Sequence, residues 1–364
     1  MTRARDIANL GNNTTNLETL DTLYGDNVLT GRNLIINGNM SIAQRGTSST
    51  SSGIGCVDRF QHTYSGGTVT SSQGSLSSSD TPYSLGIRNY IRMTNTANTT
   101  AANAQRQIYQ NIEAQYLAKS GWDYTSSSSY VTVSFWIRSS LAGKYGAYLL
   151  TYDGTAQQFS FTYTLAANTW TKITKTIPGN SNLTFNDDNG LGMSLVVYSW
   201  LGTDYTDSTA TMDAWVANDA TKYFQEDLAD WGGTSSATLD VTAVQLEVGA
   251  TATDFEREDL TITLKKCERY YELVGTAVYV GAASYGFAGT EYVVNSNWFE
   301  IDWKTEKRTD SVVFDFINGF GWNSGPSSSG VGRYGAMFFL GGSFIATVAG
   351  DKSGLPIASA TAEV

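Results

Sequence analysis

The chain reads as an all-β protein of two domains, and three observations predict this. Apolar and polar residues alternate with period two over many short segments, as strands with one buried face require. Charge is scarce, at 16% of residues, and Ser, Thr, Asn and Gly fill the gap. Only four prolines are present, so turns rest on Gly, Asn and Asp. At 364 residues the chain can bury a large core and divide in two.

Residues 1–32 stand apart. TRARDIANLG suggests one or two helical turns, and Leu17, Leu20 and Tyr24 recur at three- and four-residue spacing. The segment is too short to fold alone. It is either a disordered tail or a peg that orders on a partner.

Residues 33–258 read as one domain. Val131, Val133, Phe135 and Ile137 alternate with Thr132, Ser134, Trp136 and Arg138. Met193, Leu195 and Val197 alternate with Ser194, Val196 and Tyr198, the pattern of a strand buried on both sides or nearly so. Phe159 to Tyr163 and Trp170 to Ile177 are two more strands, joined by the turn Ala166-Ala167-Asn168, and Leu239, Val241 and Ala243 continue the pattern. Many such strands with polar turns predict a jelly-roll-like β-sandwich. The Ser-rich stretches 47–53 and 71–79 read as loops.

Over 259–272 the period lengthens. Leu264, Cys267 and Tyr271 fall three and four apart, which predicts a short helical linker. Residues 273–364 return to strands and predict a smaller C-terminal β-domain: LVGTAVYVGAA, EYVVNSNWFEIDW, SVVFDF and MFFL-GG-SFIA. The Gly341-Gly342 pair in the last of these predicts a tight hairpin.

Composition excludes several functions. A net charge of −11 repels phosphate backbones, so nucleic acid is not an expected partner. No apolar stretch follows Met1-Thr2-Arg3-Ala4-Arg5, and the greasy run 336–350 is too short to span a bilayer, so neither a secretory signal nor membrane insertion is expected. Cys56 and Cys267 are too few for a disulfide framework; one bridge or two free thiols are both open. His62 is the single histidine and sits in a strand pattern, a poor start for a catalytic triad or a zinc site. Neither a Walker A loop nor a dinucleotide fingerprint occurs. A glycosidase needs only two carboxylates, for which Glu113, Glu247 and Glu256 are candidates, but an enzyme is not the expectation. No cofactor is expected. A structural calcium stays open, because Asn186-Asp187-Asp188-Asn189, Asp204, Asp207 and Asp213 offer loop oxygens.

Sugar binding is the chemistry the composition favours, since flat aromatics stack on the C–H faces of pyranoses. Trp136 shares its strand face with Ser134 and Arg138, so this face either meets glycan or is covered by the second domain or another subunit. Trp122, Trp200, Trp215 and Trp231 fall at strand ends or loops, where exposure is expected, and Trp200 joins the glycan candidates. Tyr285, Trp322 and Tyr334, in Gly/Ser-rich C-terminal loops, are further candidates.

Short segments recur in a fixed order: NLIINGNMSIAQR (33–45), DRF (58–60), QIYQNIE (107–113), VTVSFWIRSS (131–140), TLDVTAVQLEVGATATDFE (238–256) and CERYYE (267–272). Together they resemble a β-sandwich module of tail fibres and other virion proteins of bacteriophages, notably marine and cyanobacterial ones. In such proteins an Arg-x-x-Pro-Thr motif often follows the sandwich; here WKTEKRTDS lacks the proline. The resemblance implies a virion appendage made in a host cytoplasm, commonly a homotrimer, that attaches to host surface polysaccharide. It also implies docking on other virion proteins through the N-terminus, with Arg3, Arg5, Ile7, Leu10, Leu17 and Leu20 as the docking residues. Within the module, Glu113, Glu247 and Glu256 look like structural groups near strand ends. A purely architectural head fibre or tail adaptor is the alternative, and a glycan-active enzyme or its carbohydrate-binding module is the alternative of another class.

Overall fold

A computed structural model describes residues 31–274 continuously and, beyond them, the strands named below. The first of two six-stranded antiparallel sheets runs β1 (Ser48–Ser49), β3 (Thr68–Ser75), β4 (Asn89–Ala97), β12 (Thr238–Val248), β6 (Tyr130–Ser139) and β9 (Thr171–Pro178). The second runs β11 (Trp215–Ala217), β8 (Gln157–Leu165), β7 (Gly143–Thr151), β10 (Leu191–Leu201), β5 (Gln105–Glu113) and β2 (Gln61–Tyr64). The all-β sandwich expected from period-two alternation is what the chain forms.

Alternation sorts the side chains. Val131, Val133, Phe135 and Ile137 of β6 meet Phe159 and Phe161 of β8 and Met193, Leu195 and Val197 of β10 in one core between the sheets. The strand β12 is central in its sheet and carries a bulge between Thr242 and Gln245, where Ala243 adopts φ 52°. A bulge flips the alternation, which lets Val241 and Val244 both enter the core.

Three expectations need correction. The turn Ala166-Ala167-Asn168 does not close a hairpin: β8 and β9 lie in different sheets, so this connection crosses the sandwich. The Ser-rich stretch from 71 is a strand as far as Ser75, because its backbone pairs in antiparallel register with β4 and Ser71 is buried. Likewise Ser48 and Ser49 pair with Ser72 and Ser71.

Two short helices punctuate the chain, α1 (Ala114–Ala118) and α2 (Leu260–Glu268). The second is the expected linker. Asp259 caps it by accepting a 2.8 Å hydrogen bond from the Thr261 amide, and Cys267 is buried. Cys56 and Cys267 are both free thiols.

After the linker, β13 (Tyr271–Val274), β20 (Ala358–Thr361) and β17 (Val313–Phe316) form one sheet, while β14 (Val278–Val280), β16 (Glu291–Asp302), β19 (Gly335–Thr347) and β18 (Ser327–Gly332) form another, with β15 (Phe287–Ala288) paired to β16. The expected hairpin at Gly341-Gly342 is absent. Both glycines lie inside β19, which pairs with β16 on either side of them through a register shift opposite Asn295–Asn297. Twelve residues of β16 offer a partner to both halves, and glycine tolerates the irregularity.

Candidate glycan-binding face

The second sheet presents an unusual outer surface. Register places its outward side chains in rows running from β2 through β5, β10 and β7 to β8. One row is Thr63, Gln107, Tyr198, Gly146 and Thr162; the next is Gln61, Tyr109, Val196, Tyr148 and Ser160. A third, without β2, holds Asn111, Ser194, Leu150 and Gln158. The strands are thus apolar on the core side and aromatic or amide-bearing on the other.

The segments on either side of β11, within residues 202–230, lie over this face as a strap and seal half of it. Phe224 is fully buried over the backbone of Gly146, where any Cβ would lie 2.4 Å from its ring. The Tyr223 ring stacks on Tyr148 at 4.8 Å, and the Tyr148 and Tyr198 hydroxyls meet at 3.2 Å. Gln158 pins the strap from below, donating to the Lys222 carbonyl at 2.9 Å and accepting from the Asp219 amide at 3.1 Å. Burial, above all, pushes the Tyr148 and Tyr198 phenols well above the usual range, so both stay protonated.

The other half is open. Tyr152, just past β7, is 43% exposed, and Tyr109 and Gln107 are half-buried. Tyr109 donates to Gln61 Oε1 at 2.7 Å, which fixes its ring. The Ser194 hydroxyl lies 2.6 Å from Asn111 Oδ1 and 3.2 Å from the Tyr152 hydroxyl. Gln107 Oε1 is buried and accepts no hydrogen bond among the described residues. The result is a platform of phenols, amides and hydroxyls with a tyrosine wall, Tyr205 and Tyr223, on the strap side. Aromatic rings held by hydrogen bonds beside unused polar capacity suit a ligand with both C–H faces and hydroxyls.

The residues singled out from sequence lie elsewhere. Ser134 is buried and Trp136 half-buried on the outer face of the first sheet. That face is covered by the loop after β3: Leu76, Tyr83, Leu85 and Ile87 pack there with Tyr90, Trp136, Trp170 and Ala243. Arg138 is committed beneath this cover. Its guanidinium reaches Asp240 at 2.8 Å and Asp80 at 2.9 Å, and Trp170 donates to the same Asp80 at 2.8 Å. Trp122, Trp200, Trp215 and Trp231, expected near the surface, are all buried; Trp200 lies inside β10, 8% exposed, with its ring against Gly232. Tyr285, Trp322 and Tyr334 lie outside the described residues, as do Arg3, Arg5, Ile7, Leu10, Leu17 and Leu20.

The candidate acids hold structure. Glu247 accepts from the Thr253 amide at 2.9 Å and from the Thr253 hydroxyl, and Glu256 accepts from the amides of Gly31 and Asn33. His62 is buried and its pKa is pushed down to about 4 by burial. Among the described residues no group of three His, Cys, Asp or Glu side chains could hold a metal ion. The loop acids have other partners: Asp187 pairs with Lys119, and Asp213 with Lys175, each at 2.6 Å. A cavity of about 20 Å³ beside α2, lined in part by Asn33, Phe255 and Lys266, has room for roughly one water.

The segments that recur in order meet in space. Asn37 donates to the carbonyls of Ile42 and Asp58, and Gly38 approaches the Val244 carbonyl so closely that a Cβ would lie 2.1 Å from it. Gln110 exchanges two 2.8 Å hydrogen bonds with the Ile36 backbone. Glu113, fully buried, receives Arg269 through two 3.0 Å hydrogen bonds and the Tyr270 hydroxyl. Arg59 lies over the Tyr270 ring at 3.4 Å, and Arg45 over the Tyr271 ring at 3.6 Å. Burial raises the Glu113 pKa, but hydrogen bonds from Arg269 and Tyr270 outweigh it and hold the carboxyl below its usual range.

No family model matches the chain, and no curated protein does. Among solved structures it is similar to endo-1,4-beta-D-xylanase 10B of Clostridium thermocellum, a CBM22-1–GH10 module pair complexed with xylohexaose, at 8% identity and TM-score 0.27 over 50% of this chain. It spans about a quarter of that protein, 25% of its length. It is also similar to the N-terminal cellulose-binding domain of beta-1,4-glucanase C from Cellulomonas fimi, at 8% identity and TM-score 0.29, covering 58% of this chain and 99% of that one. A cyclase from Fischerella sp. TAU gives 8% identity and TM-score 0.32, covering 62% and 98%.

Proposed function

We propose that the chain is a glycan-binding appendage protein of a phage virion, whose contact surface is the open half of the second sheet. One observation carries the binding reading: Tyr109 and Tyr152 stand exposed or half-exposed on a rigid sheet among the amides of Gln61, Gln107 and Asn111. Phenol rings stack on pyranose C–H faces, and the amides and hydroxyls exchange hydrogen bonds with sugar hydroxyls. The face is built on strands rather than loops, so little ordering entropy opposes binding.

The virion setting is supported by the ordered segments that resemble phage fibre modules. In that setting residues 1–32 dock on other virion proteins, and a homotrimer presents several weak sites at once. Effective concentration then converts millimolar contacts into firm adhesion. Saturable binding of the full chain to host surface polysaccharide, lost in a Tyr109→Ala/Tyr152→Ala variant that still folds cooperatively, is the expected result. Absence of binding to any host glycan would leave the architectural role as the better reading.

A further inference from the structure

We infer that this face takes uncharged polysaccharide and rejects acidic ones; the inference rests on the reading of the face as a glycan site. Three independent features point the same way.

First, the outward side chains of β2, β5 and β10 at the centre of the open half include no carboxylate, ammonium or guanidinium group. They are Gln61, Thr63, Gln107, Tyr109, Asn111 and Ser194; at the end of β5, Glu113 continues the same alternation but is neutralised by Arg269 at 3.0 Å. The one lysine projecting from this face of β7, Lys144, is held by Asp227 at 2.6 Å. Arg106 of β5 points the other way, fully buried, and donates to Asn95 and to the Ala97 carbonyl. Guanidinium or ammonium groups are what recognise a carboxylate or sulfate, and those nearest this face, Lys144 and Arg269, are already paired with Asp227 and Glu113.

Second, the segments bounding the face are acidic. Residues 152–156, 186–190 and 202–230 contain ten Asp and Glu residues and a single lysine, Lys222, and lysines of other segments neutralise three of the ten, Asp187, Asp213 and Asp227. An anionic polymer laid on this platform meets repulsion from its rim, strongest at low salt.

Third, an orphan atom on the open half of the face is an acceptor. Gln107 Oε1 is buried without a donor, in register with Tyr198 on one side and Thr63 on the other. A buried acceptor gains from a ligand that brings an O–H or N–H. Sugar hydroxyls supply one; a carboxylate or sulfate placed at the same point, which only accepts, does not.

The test is affinity electrophoresis of the full chain against neutral glucans, xylans, mannans and galactans, each paired with its carboxymethylated derivative. At least one neutral polymer should retard the protein. Its derivative should bind about tenfold more weakly at about 10 mM salt, with the gap narrowing near 1 M as the Debye length shrinks. Tyr152→Ala and Gln107→Leu should each weaken the neutral interaction without lowering the melting temperature. Equal or tighter binding of the derivative would overturn the charge inference while leaving the glycan site standing. Binding that ignores both substitutions, or no retardation by any polymer, would overturn the site itself.

Discussion

Arg269 closes on Glu113 across 156 positions of sequence, with Nε and Nη2 each 3.0 Å from a carboxylate oxygen of a side chain that has no exposure at all. The pair ties the end of the linker helix to the last residue of β5. Since Tyr271, two residues on, opens the first strand beyond the linker, the contact fixes where the C-terminal part of the chain departs from the sandwich.

Removing one partner of this pair leaves the other buried and uncompensated. Glu113→Gln is expected to cost about 3–5 kcal/mol in denaturant unfolding. Replacing both, as Glu113→Leu/Arg269→Met, should recover a good part of that loss. A double variant as unstable as the sum of the single ones would show that the pair is not coupled.

Acid should act on the sandwich in two stages. His62 has its pKa lowered to about 4 by burial, from an unfolded value near 6.5. Between those values the unfolded chain binds more protons, so stability falls as pH drops from about 6.5 to about 4, by about 3 kcal/mol in all. Glu113, held below the usual range by Arg269 and Tyr270 although burial opposes it, loses its contribution only as pH falls through that lowered value. Melting temperature followed against pH should therefore decline across the histidine window in the native chain and run flatter there in His62→Gln.

Much of this fold could be read from alternation, and the functional face could not. Val131 through Ile137 and Met193 through Val197 announce their strands because each side chain's fate is set by its own sheet. The residues Ser194, Val196 and Tyr198 were legible as a second buried face, yet what covers them is a strap that lies in no local pattern. Tyr109 and Tyr152 gain meaning only from being left outside that strap. Trp136 and Arg138 looked like a sugar platform because sequence shows a polar face but not the loop 76–88 lying on it. Trp200 looked peripheral because β10 runs on through Tyr198 with a register shift, which turns the indole inward. The recurring segments were visible as text, but their physical content, Gly38 under the Val244 carbonyl and Glu113 under Arg269, spans most of the domain.

The strap should be separable from the sandwich. Phe224→Ala removes the ring seated on Gly146 and is expected to destabilise by about 3–5 kcal/mol. It should also admit water to Tyr148 and Tyr198, so their ionisation moves down toward the ordinary phenol range. Ultraviolet titration of the tyrosines follows this; an unchanged titration curve would mean the strap does not seal them.

The two outer faces should respond in opposite ways to substitution. Arg138→Ala strips Asp240, which is 1% exposed, of one of its two arginines, the other being Arg92 at 2.6 Å. The expected cost is about 2–3 kcal/mol of stability with glycan binding unchanged. Tyr152→Ala, at an exposed position, should leave stability within about 0.5 kcal/mol and weaken binding.

The most direct test is equilibrium binding of the full chain and its Tyr109→Ala/Tyr152→Ala variant to purified host surface polysaccharide, with melting temperature measured on the same samples. Saturable binding by the native chain is expected, with loss of at least about tenfold in affinity by a variant that still melts cooperatively as a folded protein. Equal binding by the two proteins would contradict it and move recognition away from the tyrosine face of the second sheet.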